Sequence, residues 1–179
     1  QISPRFALLY GLRYSGFGLI GSDAYDFDDA GELLETRTYD TWETVKYQQG
    51  LEPRFSASFV LSDHNSIKLG YNRNFQYLHQ LSNATTSSPT DVWVPSSNNV
   101  KPQIADQIAL GYYHNFKSNT YQTSAEIYYK DFQNQIDYRP GADLVFNDLV
   151  EGELVYGDGE AYGLEFQVKK TKGKFTGWL

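Results

Sequence analysis

The sequence predicts an all-β protein: an antiparallel, up-and-down transmembrane β-barrel, present as about seven strands. Three observations predict it. Apolar and polar residues alternate with a period of two along stretches of ten or more residues. The stretches are joined by connections that are in turn long and short. No stretch carries a convincing 3.6-residue period, and none is an apolar run of eighteen or more residues. Strands of that length exceed the five or six residues usual in globular sheets and suit a tilted crossing of a bilayer.

The first strand is expected over residues 6–16, with Phe6, Leu8, Tyr10, Leu12 and Tyr14 on one face and Ala7, Leu9, Gly11, Arg13 and Ser15 on the other. A long polar connection, residues 18–50, follows. It holds eight acids against Arg37 and Lys46, and so carries six of the seven net negative charges of the chain. Residues 30–36 are its only weak helix candidate, and parts of 40–48 can extend the flanking strands.

Residues 51–81 are expected to form one antiparallel hairpin with unusually long arms. Phe55, Ala57, Phe59 and Leu61 fall on one face of its first arm, with Arg54, Ser56 and Ser58 opposite. In the second arm Ile67, Leu69, Tyr71, Phe75 and Tyr77 alternate with Lys68, Gly70, Asn72, Asn74 and Gln76, and Ser62-Asp63-His64-Asn65 supplies the tight turn. Residues 82–101 read as a second long connection with one apolar spike, Val92-Trp93-Val94. Ile104, Ile108, Leu110 and Tyr112 then alternate with Ala105, Gln107, Ala109 and Gly111. After the turn at Lys117-Ser118-Asn119, Tyr121, Thr123, Ala125, Ile127 and Tyr129 oppose Gln122, Ser124, Glu126 and Lys130 on a strand running to about Tyr138. A third long connection is expected over residues 139–158, with turn chemistry at Pro140-Gly141 and Gly157-Asp158-Gly159. The sixth strand sets Tyr162, Leu164, Phe166 and Val168 against Gly163, Glu165, Gln167 and Lys169, and Thr171-Lys172-Gly173-Lys174 turns it into a seventh. Outer-membrane barrels place short turns on the periplasmic side and long loops outside, and all six connections obey that order.

Composition permits this reading. Mean hydropathy is -0.54, as expected where each strand gives only alternate residues to lipid, and aromatics make up 16% of the chain, with 15 Tyr. Tyrosine, with an apolar body and a wet tip, suits the interfacial girdles of barrels. A net charge of -7 argues against nucleic acid as a partner, and the absence of cysteine excludes disulfides and thiolate metal sites.

Several motifs carry a family resemblance. Leu51-Glu52-Pro53-Arg54-Phe55-Ser56, then Lys68-Leu69-Gly70-Tyr71-Asn72-Arg73-Asn74-Phe75, resemble the late barrel of TonB-dependent outer-membrane receptors of the Bacteroidetes type. Trp93-Val94-Pro95, Lys101-Pro102-Gln103, Ile108-Ala109-Leu110-Gly111-Tyr112-Tyr113, Tyr162-Gly163-Leu164-Glu165-Phe166 and Thr176-Gly177-Trp178-Leu179 follow in the same order. The resemblance implies a receptor of about 22 strands with a plugged lumen, residues 1–179 being a partial barrel domain without plug, TonB-contacting segment or final strand. It implies outer-membrane lipid as surroundings, the TonB complex acting through the plug, uptake of a bulky nutrient, and a possible surface lipoprotein partner. No cofactor is expected.

Sites are expected only in the outer loops. Trp42 and Trp93 are candidates because aromatic faces bind sugars and peptides alike, set against packing within their own loops. Asp26, Asp28 and Asp29 form the acidic cluster. With Asp23 they resemble half a calcium loop, but Arg37 stands where the closing Glu belongs, so a solvated charged loop is the simpler reading. His64, His79 and His114 lie on separate elements without metal spacing, and no nucleophile elbow or phosphate loop occurs, so no enzyme is expected. The alternatives are a passive porin, a soluble β-rich binding or adhesion module and, third, a barrel-embedded hydrolase.

Overall fold

The computed structural model describes residues 3–21, 23–28, 30–82, 91–143 and 147–179. Its frame is one seven-stranded antiparallel sheet made of β1 (Phe6–Ile20), β4 (Thr44–Ser62), β5 (Asn65–Gln76), β8 (Gln103–Phe116), β9 (Tyr121–Tyr138), β10 (Leu154–Lys170) and β11 (Gly177–Trp178), in that order. Every neighbour in the sheet is the next of these strands in sequence, so the long connections stand at one end and the short turns at the other. Two hairpins rise from the long connections: β2 (Asp23–Phe27) with β3 (Leu33–Thr38), and β6 (Leu78–Leu81) with β7 (Val92–Pro95). A single 3-10 turn, Val150–Glu153, precedes β10.

Cross-strand register sorts the side chains into unbroken rows. Leu8, Ala57, Leu69, Leu110, Ile127 and Leu164 form one row. On the same face the row above is Tyr10, Phe55, Tyr71, Ile108, Tyr129 and Tyr162, and the row below is Phe6, Phe59, Ile67, Tyr112, Ala125 and Phe166. The opposite face reads Ala7, Ser58, Lys68, Gly111, Glu126 and Glu165. A slip of one residue in any strand would exchange these faces, because side chains alternate strictly. Phe59, Leu69, Tyr71, Leu110, Tyr112, Ile127, Leu164 and Phe166, which alternation assigns to lipid, share the apolar face, and Ser58, Gly70, Gly111, Glu126 and Glu165 share the other.

The apolar rows are bounded. Above them Arg73, Asp106, Asp131 and Glu160 stand in register, and below them Asn65, His114 and Thr123 do the same. Eight residues from Asn65 to Arg73 span roughly 26 Å along a strand, or about 20 Å along the membrane normal at a tilt of ~40°. That is the height of a thin hydrocarbon layer. Within it Leu69, Leu110, Ile127 and Leu164 line a furrow of about 710 Å³ that hydrocarbon fills.

On the polar face, aromatic rings lie over glycines. A Cβ at Gly111 would stand 2.8 Å from the Tyr113 ring, and one at Gly163 would stand 2.7 Å from the Tyr128 hydroxyl. Tyr113 also donates to Glu126 Oε2 at 3.0 Å and carries Lys68 Nζ 4.6 Å from its ring centre. This face is therefore polar by charge and hydroxyl while still closely packed.

Several boundaries differ from the sequence reading. The acidic connection holds the β2–β3 hairpin, and residues 33–36 of the weak helix candidate 30–36 belong to the strand β3. Every residue of β3 is exposed, so neither a two-residue nor a 3.6-residue apolar period marks it. β1 runs past Gly16 to Ile20, and β4 begins at Thr44. Gly157-Asp158-Gly159 lies inside β10, where the ladder shifts register and Asp158 alone faces two residues of β9, Gln133 and Asn134. Asn134 takes a left-handed φ of 57°, its N–H donates to Asp158 Oδ1 at 3.1 Å, and the ladder resumes beyond.

The register makes a stability prediction. Leu110→Arg in the full-length protein should cost roughly 2–4 kcal/mol of assembly at the centre of the apolar rows. Ser56→Arg, on the polar face beside the open space at Gly70, should cost much less. The folded fraction, read from heat-modifiable electrophoretic mobility, measures both.

Candidate functional site

The three long connections are fastened to one another above the sheet. Asp28 shapes the β2–β3 turn, its Oδ1 accepting the N–H groups of Ala30 (2.9 Å) and Glu32 (2.8 Å). From the second connection Asn98 Nδ2 donates to Tyr25 O (2.8 Å) and Asp26 Oδ1 (2.9 Å). Asn99 Nδ2 donates to the same Tyr25 carbonyl (2.7 Å) and to Glu151 Oε2 (2.6 Å) in the third connection. Arg139 closes the ring, with Nη1 donating to Ala30 O at 2.5 Å, Nη2 to Gly152 O, and Nε 3.4 Å from Glu153 Oε2. Gly31 sits at φ 82°, where a side chain would meet the Gly152 carbonyl and the Arg139 guanidinium. The first and third connections thus touch backbone to backbone.

Apolar burial supports the arrangement from beneath. Leu81 and Val94 of the β6–β7 hairpin pack with Val100 and Leu154 into a small core, against Ile136, Tyr138 and Val150. His79, on the same buried side of β6, is 1% exposed, and its Nε2 lies 3.1 Å from the buried Ser96 Oγ. Burial holds the His79 imidazole below its ordinary value of 6.5, with Gln103 opposing in smaller measure. A His–Ser contact so enclosed offers a substrate no approach.

Between the fastened connections lies a cavity of about 470 Å³, lined by Phe27, Asp28, Asn99, Arg139, Glu151 and Tyr156 among others. Two rings offer flat apolar walls, and carboxylates, an amide and a guanidinium offer hydrogen bonds at the rim. Burial, and next the Glu151 charge, push the Tyr156 phenol up, so it stays a protonated donor. Such a lining suits a solute that is part apolar and part hydroxyl or amide.

The sequence candidates fall at different places. Asp26 is tied up, paired with Arg37 and accepting from Asn98, while Asp28 lines the cavity. Asp29 lies outside the described residues. Trp42 is 83% exposed at the turn before β4. Trp93 is 57% exposed on β7, on the side of the hairpin opposite Val94. Neither tryptophan lines the cavity. Among the described residues no group of three or more His, Cys, Asp or Glu stands close enough to hold a metal ion. Arg139, Asn98, Asn99, Glu151 and Tyr156 were not candidates. The Asn98-Asn99 pair after two serines read as loop chemistry, and nothing in the sequence names its partners 52 to 74 residues away.

A long-stranded antiparallel sheet with a bounded apolar belt on one face, short turns at one end and interlocked loops at the other is the wall of an outer-membrane β-barrel. The family model described as TonB dependent receptor-like, beta-barrel, matches residues 1–179, and the chain belongs to that family. Its members are outer-membrane receptors and transporters of Gram-negative bacteria. Among solved structures the chain is similar to the FrpB iron transporter from Neisseria meningitidis, with a TM-score of 0.54 and 15% identity over 96% of this chain. It spans 22% of the length of that protein. No curated relative matches the sequence.

Two predictions follow from the interlock. Arg139→Ala in the full-length receptor removes donors from two backbone carbonyls, a loss of about 1–3 kcal/mol of local closure. Protease added to intact cells should then cut the first and third connections about tenfold faster, while the short turns stay protected. The second concerns pH. The neutral His79 is favoured in the docked hairpin, so docking is complete above about pH 6.5 and weakens as pH falls from there towards the depressed value. The protection factors of the amides in residues 78–81, hydrogen exchange divided by its intrinsic rate at each pH, should fall between pH 7.5 and 5.5, and His79→Gln should abolish that fall.

Proposed function

We propose that the chain is part of the barrel of a receptor that imports a bulky nutrient with energy delivered by the TonB complex through a plug domain carried elsewhere in the protein. One observation supports the capture step most directly: three outer connections are joined into one cap that encloses a half-apolar, half-polar cavity. The strands are committed to alternation and the opposite turns are short, so a ligand-selective surface has only the outer connections to occupy. A rigid cap lowers the ordering cost of binding, because its loops are already fixed before the solute arrives.

In this reading Phe27 and Tyr156 supply apolar faces, Asp28 and Glu151 supply acceptors, and the Tyr156 hydroxyl supplies a donor. Trp93, held outward by a hairpin whose other side is buried, is the first aromatic surface a solute or a surface lipoprotein meets. Trp42 extends that surface. The Bacteroidetes affiliation is carried by the strand motifs and belongs to the same proposal.

Trp93→Ala and Tyr156→Ala in the full-length receptor test this, with barrel abundance in the membrane measured independently. Loss of binding at normal abundance, about tenfold or more for a buried aromatic contact, supports capture. Lower abundance with unchanged affinity per receptor would assign the residue to loop packing.

A further inference from the structure

The outer connections are acidic, whereas the opposite end of the sheet is basic. Lys117, Lys169, Lys170, Lys172 and Lys174 gather at two neighbouring short turns. Side-chain direction divides them. Tyr121 shares the apolar face with Thr123, Ala125 and Ile127, and its cross-strand partner Lys170 shares it with Val168 and Phe166. Phe116, Tyr121, Lys170 and Gly177 form a row two residues beyond the polar boundary of Asn65, His114 and Thr123. Lys117 Nζ lies 5.5 Å and Lys170 Nζ 5.9 Å from the Tyr121 ring centre. Among the described residues no carboxylate stands within salt-bridge distance of either lysine.

The two turns are built to hold this arrangement. Lys117, Ser118 and Asn119 all take left-handed φ, at 50°, 54° and 64°, a conformation that side chains disfavour. The neighbouring turn holds it: Thr171 Oγ1 donates to Asn119 O (2.5 Å), Thr171 N–H to Thr120 O (2.8 Å) and Lys172 Nζ to Ser118 O (2.7 Å). Beside Lys170, Gly177 leaves open space where a side chain would otherwise stand.

The geometry points to a binding site for an anionic phospholipid of the periplasmic leaflet, its phosphate held between Lys117 and Lys170 over Tyr121. This rests on the membrane-barrel reading, which sets the row at headgroup depth, just past the lower edge of the apolar belt. Two ammonium groups without carboxylate partners stand there, both within 6 Å of an aromatic ring of the kind found at such interfaces. The acyl chains continue along Phe116 and Val168 on the same face. Lipid phosphate is the occupant the position favours, because a free anion would have no reason to meet an outward-facing row flanked by apolar side chains.

Full-length receptor in mild detergent, titrated with phosphatidylglycerol against phosphatidylethanolamine of the same chains and read by native mass spectrometry, tests the site. Each lysine near an anionic headgroup contributes about fivefold in affinity. The wild type should retain phosphatidylglycerol preferentially, K117A/K170A should lose about 25-fold, and K117R/K170R should keep the preference. Heat-modifiable mobility confirms that each barrel is folded, and K170Q alone, with about a fivefold loss, serves if the double alanine variant does not fold. Equal retention by K117A/K170A or K170Q, no preference in the wild type, or full displacement by millimolar inorganic phosphate would overturn the site. Failure of the wild type to fractionate with the outer membrane would instead remove the barrel reading.

Discussion

In hydrocarbon a backbone amide has no water to bond, so every N–H and C=O of a membrane-crossing strand must find its partner on a neighbouring strand. The whole structure follows from meeting that requirement. Unbroken pairing from β1 through β10 fixes the register, and the register fixes which side chains share a face. Once Leu110 stands beside Leu69 and Ile127, Gly111 must stand between Lys68 and Glu126. A face of Leu, Ile, Phe and Tyr is then the only one that can meet lipid, because Glu126 and Glu165 could not be placed there without large cost. Side chains choose the face, but the backbone decides that the choice is collective.

The same commitment explains why the loops interlock as they do. Outside the belt water is available, and pairing is no longer compulsory. Long connections would lose much conformational entropy by ordering. What orders them is a small number of multivalent side chains. Two asparagine amides converge on the single Tyr25 carbonyl, which has two lone pairs to offer, and Asn99 reaches on to Glu151. The Arg139 guanidinium reaches two carbonyls and one carboxylate from three different nitrogens, using a planar fork that a lysine could not match. Each such residue joins two connections at once, and the core at Leu81, Val94, Val100 and Leu154 anchors the joined set to the wall.

What was legible in the sequence follows from the same division. The strands could be read face by face, since burial in lipid imposes a contrast on every second residue. The order of long and short connections was equally plain. The β2–β3 hairpin was not, because Leu33-Leu34-Glu35-Thr36-Arg37-Thr38 is exposed on both faces and so no contrast marks it. Gly157-Asp158-Gly159 has the composition of a turn, yet it continues the strand opposite a bulge of β9, where Asp158 accepts the Asn134 N–H. Among the site candidates, Asp28 was found for its charge and matters for its position. Arg139 was missed, since its contact with Ala30 crosses 109 positions and leaves no local pattern.

The sheet itself shows where the requirement for pairing ends. β4 and β5 are in register from Val60 and Ser66 up to Arg54 and Asn72, then separate, although β1 stays with β4 and β5 stays with β8. That last pair lies beside the row of Arg73 and Asp106, the upper edge of the belt. Phe75 lies over Gly50 above the separation, where a Cβ would stand 2.6 Å from its ring, and Tyr77 stacks between Phe75 and Phe17 at 6.2 and 5.8 Å. Tyr77 Oη lies 2.9 Å from Ser15 Oγ, which donates at 2.8 Å to Glu52, a carboxylate with no exposed surface that Arg13 pairs with and Arg54 approaches to 3.7 Å. A covered carboxylate is tolerable only with such partners. Two residues lower, the same separation would leave backbone groups facing hydrocarbon with nothing to bond. The strands part at the first level where water can take over, so the end of the ladder marks the membrane boundary independently of the charged row beside it.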